Sequence, residues 1–187
     1  MPEIQGGTSG DVLEPRTQRI VLTGFMGAGK STVGRLLARQ LQWRFVDSDA
    51  EIESAAGLSV PEIFRQQGEP RFRELEHGVI RQLLGEERLV LALGGGAIED
   101  ERTRELLFQD SGTRVVHLEA SMETVLKRCA GSDAFRPVLA DRNNLGTRYE
   151  RRLPLYRQSH LTIGVDALEP LAVVEAVLDG LAIIPEP

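Results

Sequence analysis

The segment Gly24-Phe25-Met26-Gly27-Ala28-Gly29-Lys30-Ser31 constrains this chain more than any other. It satisfies G-x-x-x-x-G-K-[ST] at every defined position. Its flanks agree. Residues 20–22 are an apolar run within 19–24 and read as a buried strand. Val33, Leu36, Leu37 and Leu41 then recur at the spacing of one helix face over 31–41. A strand, a tight glycine turn and a helix N-terminus together make an anion site, with N–H groups turned inward and the helix end adding positive potential. Lys30 supplies a mobile charge for β- and γ-phosphates, and Ser31 a hydroxyl ligand for Mg2+. The motif implies nucleotide binding. GTPases, ATPases and small-molecule kinases all use it, so it leaves the acceptor open.

The remaining pattern alternates strands and helices. Residues 44–46 read as a second strand, followed by Asp47 and Asp49. Residues 49–56 and 60–66 read as short helices split by Gly57, and 69–84 as a longer one. Strands follow at 88–93, 114–118 and 161–165. Helices fall at 99–107, 122–129, 147–158 and, with proline near its start, 170–181. This is the signature of an α/β layer with a largely parallel sheet.

Composition narrows the class. The 187 residues are 41% hydrophobic and 27% charged, which suits one globular domain. No apolar run is long enough to span a bilayer. A net charge of −6 argues against a general nucleic-acid binder. Cys129 is the only cysteine, so an internal disulfide is impossible. The first 18 residues are polar and of mixed charge, and are expected to form a flexible tail on a cytoplasmic protein.

Three further features point to a site. Asp47-Ser48-Asp49 lies after the second strand, where parallel sheets present ligand residues. One carboxylate suits Mg2+ through water, and the other an acceptor hydroxyl and its proton; the competing reading is an acidic helix cap. Gly94-Gly95-Gly96 ends a strand and leaves its backbone open to close approach and contact through N–H groups. The chain holds 20 arginines but only two lysines, Lys30 and Lys127. Residues 127–157 carry eight basic side chains against three acidic ones. That suits a compact anionic ligand, although Arg142, Arg148, Arg151 and Arg157 fit solvated helix faces equally well. Arg136 precedes Pro137 in a stretch without helical period, as expected of a water-excluding lid.

The ordered set resembles the shikimate kinase family from residue 19 to 181. The resemblance rests on residues 24–32, Asp47-Ser48-Asp49, the stretch from Ile63-Phe64 to Gly68-Glu69, Phe72-Arg73-Glu74-Leu75-Glu76, the glycine triplet, Arg136-Pro137-Val138-Leu139 and Arg152-Leu153-Pro154-Leu155-Tyr156. It implies a P-loop, nucleoside-monophosphate-kinase-like three-layer sandwich around a five-stranded parallel sheet. It also implies a single kinase domain over 19–187, with a substrate-binding region at about 48–84 and a mobile lid at about 130–146. The implied reaction moves the γ-phosphoryl group of ATP to the 3-hydroxyl of shikimate. By the same resemblance, Lys30, Asp49 and Arg136 are catalytic. Gly27, Ala28, Gly29, Lys30, Ser31, Thr32, Arg128 and Arg136 hold ATP. Asp49, Arg73, Gly95, Gly96 and Arg152 hold shikimate, with Arg73 and Arg152 clamping its carboxylate. Ser31, and Asp47 through water, hold Mg2+. Glu76 orients the shikimate region. The implied enzyme is a cytoplasmic monomer without nucleic-acid or membrane partners. A gluconate-type kinase or a nucleotide-binding regulatory homologue are the alternatives; Arg73, the glycines and Arg152 beside the acidic pair favour shikimate.

Overall fold

The computed structural model describes residues 17–130 and 142–184. Five strands form one parallel sheet: β1 (Arg19–Thr23), β2 (Arg44–Asp47), β3 (Leu89–Ala92), β4 (Thr113–Glu119) and β5 (Leu161–Gly164). Their order is β2-β3-β1-β4-β5. Helices α1 (Lys30–Leu41), α2 (Ser48–Ala56), α3 (Val60–Leu83), α4 (Glu101–Gln109), α5 (Met122–Cys129), α6 (Arg142–Tyr156) and α7 (Pro170–Gly180) complete a three-layer α/β/α sandwich. A 3-10 turn at Ala97–Glu99 follows β3.

The sheet explains the apolar runs. β1 is central, with β3 and β4 beside it, and Ile20, Val21 and Leu22 are fully buried. Such a strand has no polar face, so it reads as continuous hydrophobe rather than as alternation. Helix α1 packs against β3 and α7, while α3 packs against α4, which lies on β4. Arg19 begins β1 and is nevertheless buried. Its guanidinium pairs with Asp110 at 2.5 Å and donates to Thr113 Oγ1 and the Glu86 carbonyl.

Topology positions the site. From β1 the chain crosses to β2 at one edge; from β3 it crosses to β4 on the other side of β1. In such sheets the ligand crevice opens beyond the carboxyl ends where the winding reverses. The loop after β1 and the glycine triplet after β3 are therefore neighbours. The Leu93 N–H donates to the Leu22 carbonyl at 3.0 Å and ties them together.

The region between β2 and β3 has a small core of its own, Ile52, Ile63 and Phe72. Helix α3 is kinked where a break was expected. Gly68 takes φ 81° and ψ 167°, and Pro70 lies in the first turn beyond it. Helix α6 starts at Arg142, five residues earlier than its pattern suggests. Most of the expected tail and of the expected lid, Arg136 included, lie outside the described residues.

Ile63 is fully buried in the small core. Ile63→Ala should cost roughly 2–4 kcal/mol. Urea unfolding checks this; a loss below about 1 kcal/mol would mean that the small core collapses around the gap.

Candidate active site

Gly24 turns the chain out of β1 at φ 143°. A Cβ there would lie 2.5 Å from the Leu118 carbonyl oxygen, so only glycine fits. Lys30 opens α1, and its Nζ donates to the carbonyls of Gly24 at 2.8 Å and Phe25 at 3.1 Å. Burial lowers its pKa to about 8, against the opposing pull of Asp49 and Asp47. Ser31 Oγ donates to Asp47 Oδ2 at 2.7 Å.

Asp47 ends β2, and its other oxygen accepts from the Asp49 N–H at 3.1 Å. Asp47 therefore caps α2, which leaves the Asp49 carboxylate turned to the crevice. Burial and the nearby Asp47 raise the Asp49 pKa, with Lys30 opposing. Ser48, between them, is fully buried and its Oγ accepts from the Gly94 N–H at 2.9 Å. The Gly94 N–H is therefore engaged within the fold.

The glycine triplet is a floor approached by charged groups. A Cβ on Gly94 would lie 2.5 Å from Asp49 Oδ1 and 3.2 Å from Glu76 Oε1. One on Gly96 would lie 2.6 Å from Arg73 Nη2 and 3.1 Å from Arg152 Nη2. Any side chain here would displace the ions. Arg73, on α3, pairs with Glu76 at 2.6 Å and Glu69 at 3.1 Å. Glu76 is buried, and burial pushes its pKa to about 7 although Arg73 pulls it down. Its Oε1 has no hydrogen-bond partner among the described residues. Arg152, on α6, is buried and pairs with Glu99 at 2.8 Å. Tyr156, one turn on, donates to the Gly95 carbonyl at 2.5 Å and stacks on His117, which burial lowers to about 4.

A cleft of about 440 Å³ is lined by Gly27, Gly29, Lys30, Ser31, Thr32, Asp47, Asp49, Gly94, Gly95, Gly96 and Arg152. Arg73 meets Arg152 at Gly96, on the cleft's edge. Behind the loop is a more apolar pocket of about 290 Å³, lined by Ala28, Val33, Arg128, Val165, Pro170 and Val173. Arg128 donates to the carbonyls of Gly27, Ala28 and Val165, so it braces the loop against the chain after β5. Arg151 and Arg157 are exposed, yet each has a carboxylate partner, Glu99 and Glu119 respectively.

Sequence reading missed Ser48 and Glu99 and the hydroxyl role of Tyr156. Ser48 was signalled only by lying between two aspartates. Nothing local marks Glu99, because its partners are more than 50 residues away.

A parallel sheet with this phosphate loop, a carboxylate pair across from it and two arginines at a glycine floor defines a P-loop phosphotransferase for a small anionic acceptor. The family model for shikimate kinase matches residues 26–182. The chain belongs to the shikimate kinase family. It is 42% identical over 165 residues to the shikimate kinase of Thermus thermophilus, covering 87% of this chain and 89% of that one. To that of Rhodococcus erythropolis it is 45% identical over 168 residues, covering 87% and 96%. The structure of shikimate kinase from Acinetobacter baumannii in complex with shikimate superposes with a TM-score of 0.82 at 38% identity, covering 90% and 94%. A gluconokinase from Sinorhizobium meliloti shares the fold at 21% identity and a TM-score of 0.57, covering 90% and 93%.

Glu76 makes a pH test of the site. Folded, it keeps its proton to about pH 7; unfolded, it loses it near 4.5. Its contribution to stability is thus present below about pH 4.5 and falls as pH rises to 7. Glu76→Gln removes that fall. Relative to the parent, the variant should gain on the order of 2 kcal/mol between pH 4 and pH 8 in urea unfolding. A difference that does not change with pH would contradict this.

Proposed function

We infer that the chain is an ATP-dependent shikimate kinase. It transfers the γ-phosphoryl group to the 3-hydroxyl of shikimate, giving shikimate 3-phosphate and ADP on the chorismate route to aromatic amino acids. Family membership supports this, and one observation carries the acceptor: Arg73 and Arg152 meet over Gly96, and Arg152 and Gly96 line the same crevice as Lys30 and Asp49. Two planar forks at one point suit a carboxylate, as carried by shikimate.

In this reading Arg73 and Arg152 hold the carboxylate, with Gly95 and Gly96 admitting the ring. Asp49 accepts hydrogen bonds from the ring hydroxyls, and the unpartnered oxygen of Glu76 takes one more. The 3-hydroxyl oxygen attacks the γ-phosphorus as its bond to the β–γ bridging oxygen breaks. The hydroxyl proton passes to Asp49, whose raised pKa suits that transfer. The electron pair of the broken bond leaves on ADP. Lys30 exchanges its loop carbonyls for phosphate oxygens, and the loop N–H groups of Gly27, Ala28 and Gly29, with Ser31 and Thr32, cradle them. The apolar pocket beside Arg128 takes the adenine. Arg136 reaches the phosphates from the lid and excludes water.

Mg2+ fits the donors present. Ser31 and Asp47 offer adjacent hard oxygens. Among the described residues no cluster of three or more His, Cys, Asp or Glu forms a metal site. Ser31, and Asp47 through water, would hold Mg2+, which supplies charge neutralisation on the β- and γ-phosphates. No helix among the described residues is long and apolar enough to cross a membrane. A cytoplasmic monomer with one small-molecule substrate completes the proposal.

The purified protein should release ADP from Mg2+-ATP with shikimate and not with gluconate. Absence of shikimate-dependent turnover would overturn the reading. Asp49→Asn should lower kcat by at least about a hundredfold. Its ATP affinity, measured by calorimetry, should stay near the parent value; normal turnover would remove Asp49 as proton acceptor.

A further inference from the structure

We propose that Glu99 is the positioning residue of the acceptor site: it grips Arg152 by its side edge, so that the outer edge of that guanidinium faces the acceptor carboxylate. The proposal rests on the reading of Arg152 as a carboxylate ligand.

A guanidinium has two bidentate edges, one built from Nε and Nη2 and one from Nη1 and Nη2. Glu99 Oε2 lies along the first on Arg152, accepting from Nε at 2.8 Å with Nη2 also 2.8 Å away. The second faces the glycine floor, where the Tyr156 hydroxyl also lies beside it. A Cβ on Gly95 would lie 3.5 Å from Nη1, and one on Gly96 3.1 Å from Nη2. The other oxygen of Glu99 takes the same edge of Arg151, at 2.7 Å from Nε and 2.6 Å from Nη2. Arg151 and Arg152 are consecutive on α6 and so diverge by about 100° around its axis. One carboxylate meets both only at one rotation of that helix.

Glu99 is itself held. It closes the 3-10 turn, its N–H donates to the Gly96 carbonyl at 2.9 Å, and its own carbonyl accepts from Arg104 Nη1 at 3.0 Å. A closed path runs from Gly96 to Glu99, through Arg152, and back to Gly96. An arginine has several freely rotating bonds, and ordering it before the substrate arrives removes that cost from binding. Glu99 also opposes the substrate, because its negative charge weakens the pull of Arg152 on an anion. Positioning and repulsion predict opposite signs when the charge is removed, which makes the proposal testable.

Glu99→Gln keeps the shape and removes the charge. The KM for shikimate should rise about tenfold. The KM for ATP, kcat and Tm should stay near the parent values, which separates positioning from general destabilisation. With shikimate methyl ester, which lacks the anionic carboxylate, variant and parent should have equal KM. Arg151→Gln, which frees one oxygen of Glu99, should raise the shikimate KM about threefold. An unchanged or lower shikimate KM in Glu99→Gln overturns the proposal, as does an equal rise with the ester. Arg152→Ala separates the two readings. If it leaves the shikimate KM normal, the assignment of Arg152 fails and the proposal falls with it. If it raises that KM while Glu99→Gln does not, only the role of Glu99 fails.

Discussion

Charge pairing governs the carboxyl end of this sheet. Lys30, Asp47, Asp49 and Arg152 line one crevice, Arg73 and Glu76 approach its glycine floor, and Glu99 pairs with Arg152, all of them at least partly buried. Removing an ion from water is costly unless another charge or a set of hydrogen bonds replaces the water. All but Asp49 have a partner nearby: loop carbonyls for Lys30, Ser31 for Asp47, Glu76 and Glu69 for Arg73, Glu99 for Arg152. Asp49 stands apart. Its carboxylate is aimed at the floor, its pKa is raised, and Lys30 is its principal opposing charge. In the proposed reaction, the group that takes the proton is one whose proton affinity burial and Asp47 have raised.

The pairing depends on backbone left bare. Strand β3 delivers Gly94, Gly95 and Gly96 between helices that carry long charged side chains, and the absent Cβ atoms let those chains reach each other. Ser48 holds the strand end in place through the Gly94 N–H. Tyr156 does so through the Gly95 carbonyl, and Glu99 through its own N–H to Gly96. Each glycine is thus tied by a different element, α2, α6 or the 3-10 turn. The floor is rigid because three parts of the chain hold it, although its residues are the most flexible type.

What the sequence shows and hides follows from distance along the chain. The phosphate loop is legible because strand, turn and helix are contiguous, and the kink at Gly68 because glycine and proline act locally. Strand positions follow from apolar runs, since a central parallel strand is buried on both faces. The partnership of Glu99 with Arg151 and Arg152 is invisible, because it exists only once β3 and α6 are side by side. The buried Arg19 is hidden for the same reason: its partner Asp110 lies 91 residues away. The glycine triplet is open backbone, as its composition implies, but its use differs in part. The sequence suggested N–H groups offered to a ligand, whereas Gly94 gives its N–H to Ser48 and contributes mainly an absent side chain.

The preference for arginine takes on a structural sense at this site. A lysine's three donors fan out from one point, so an internal carboxylate and a substrate must share the same small region of space. A guanidinium can be held along one edge and still present another. Arg152 uses that property toward Glu99 and the glycine floor. Lys30 has the opposite requirement: a reach that shifts from loop carbonyls to phosphate oxygens, which a flexible ammonium meets and a planar fork does not. On the proposed reading, one acidic chain carries a movable charge for the nucleotide and an anchored one for the acceptor, each supplied by the side chain whose geometry allows it.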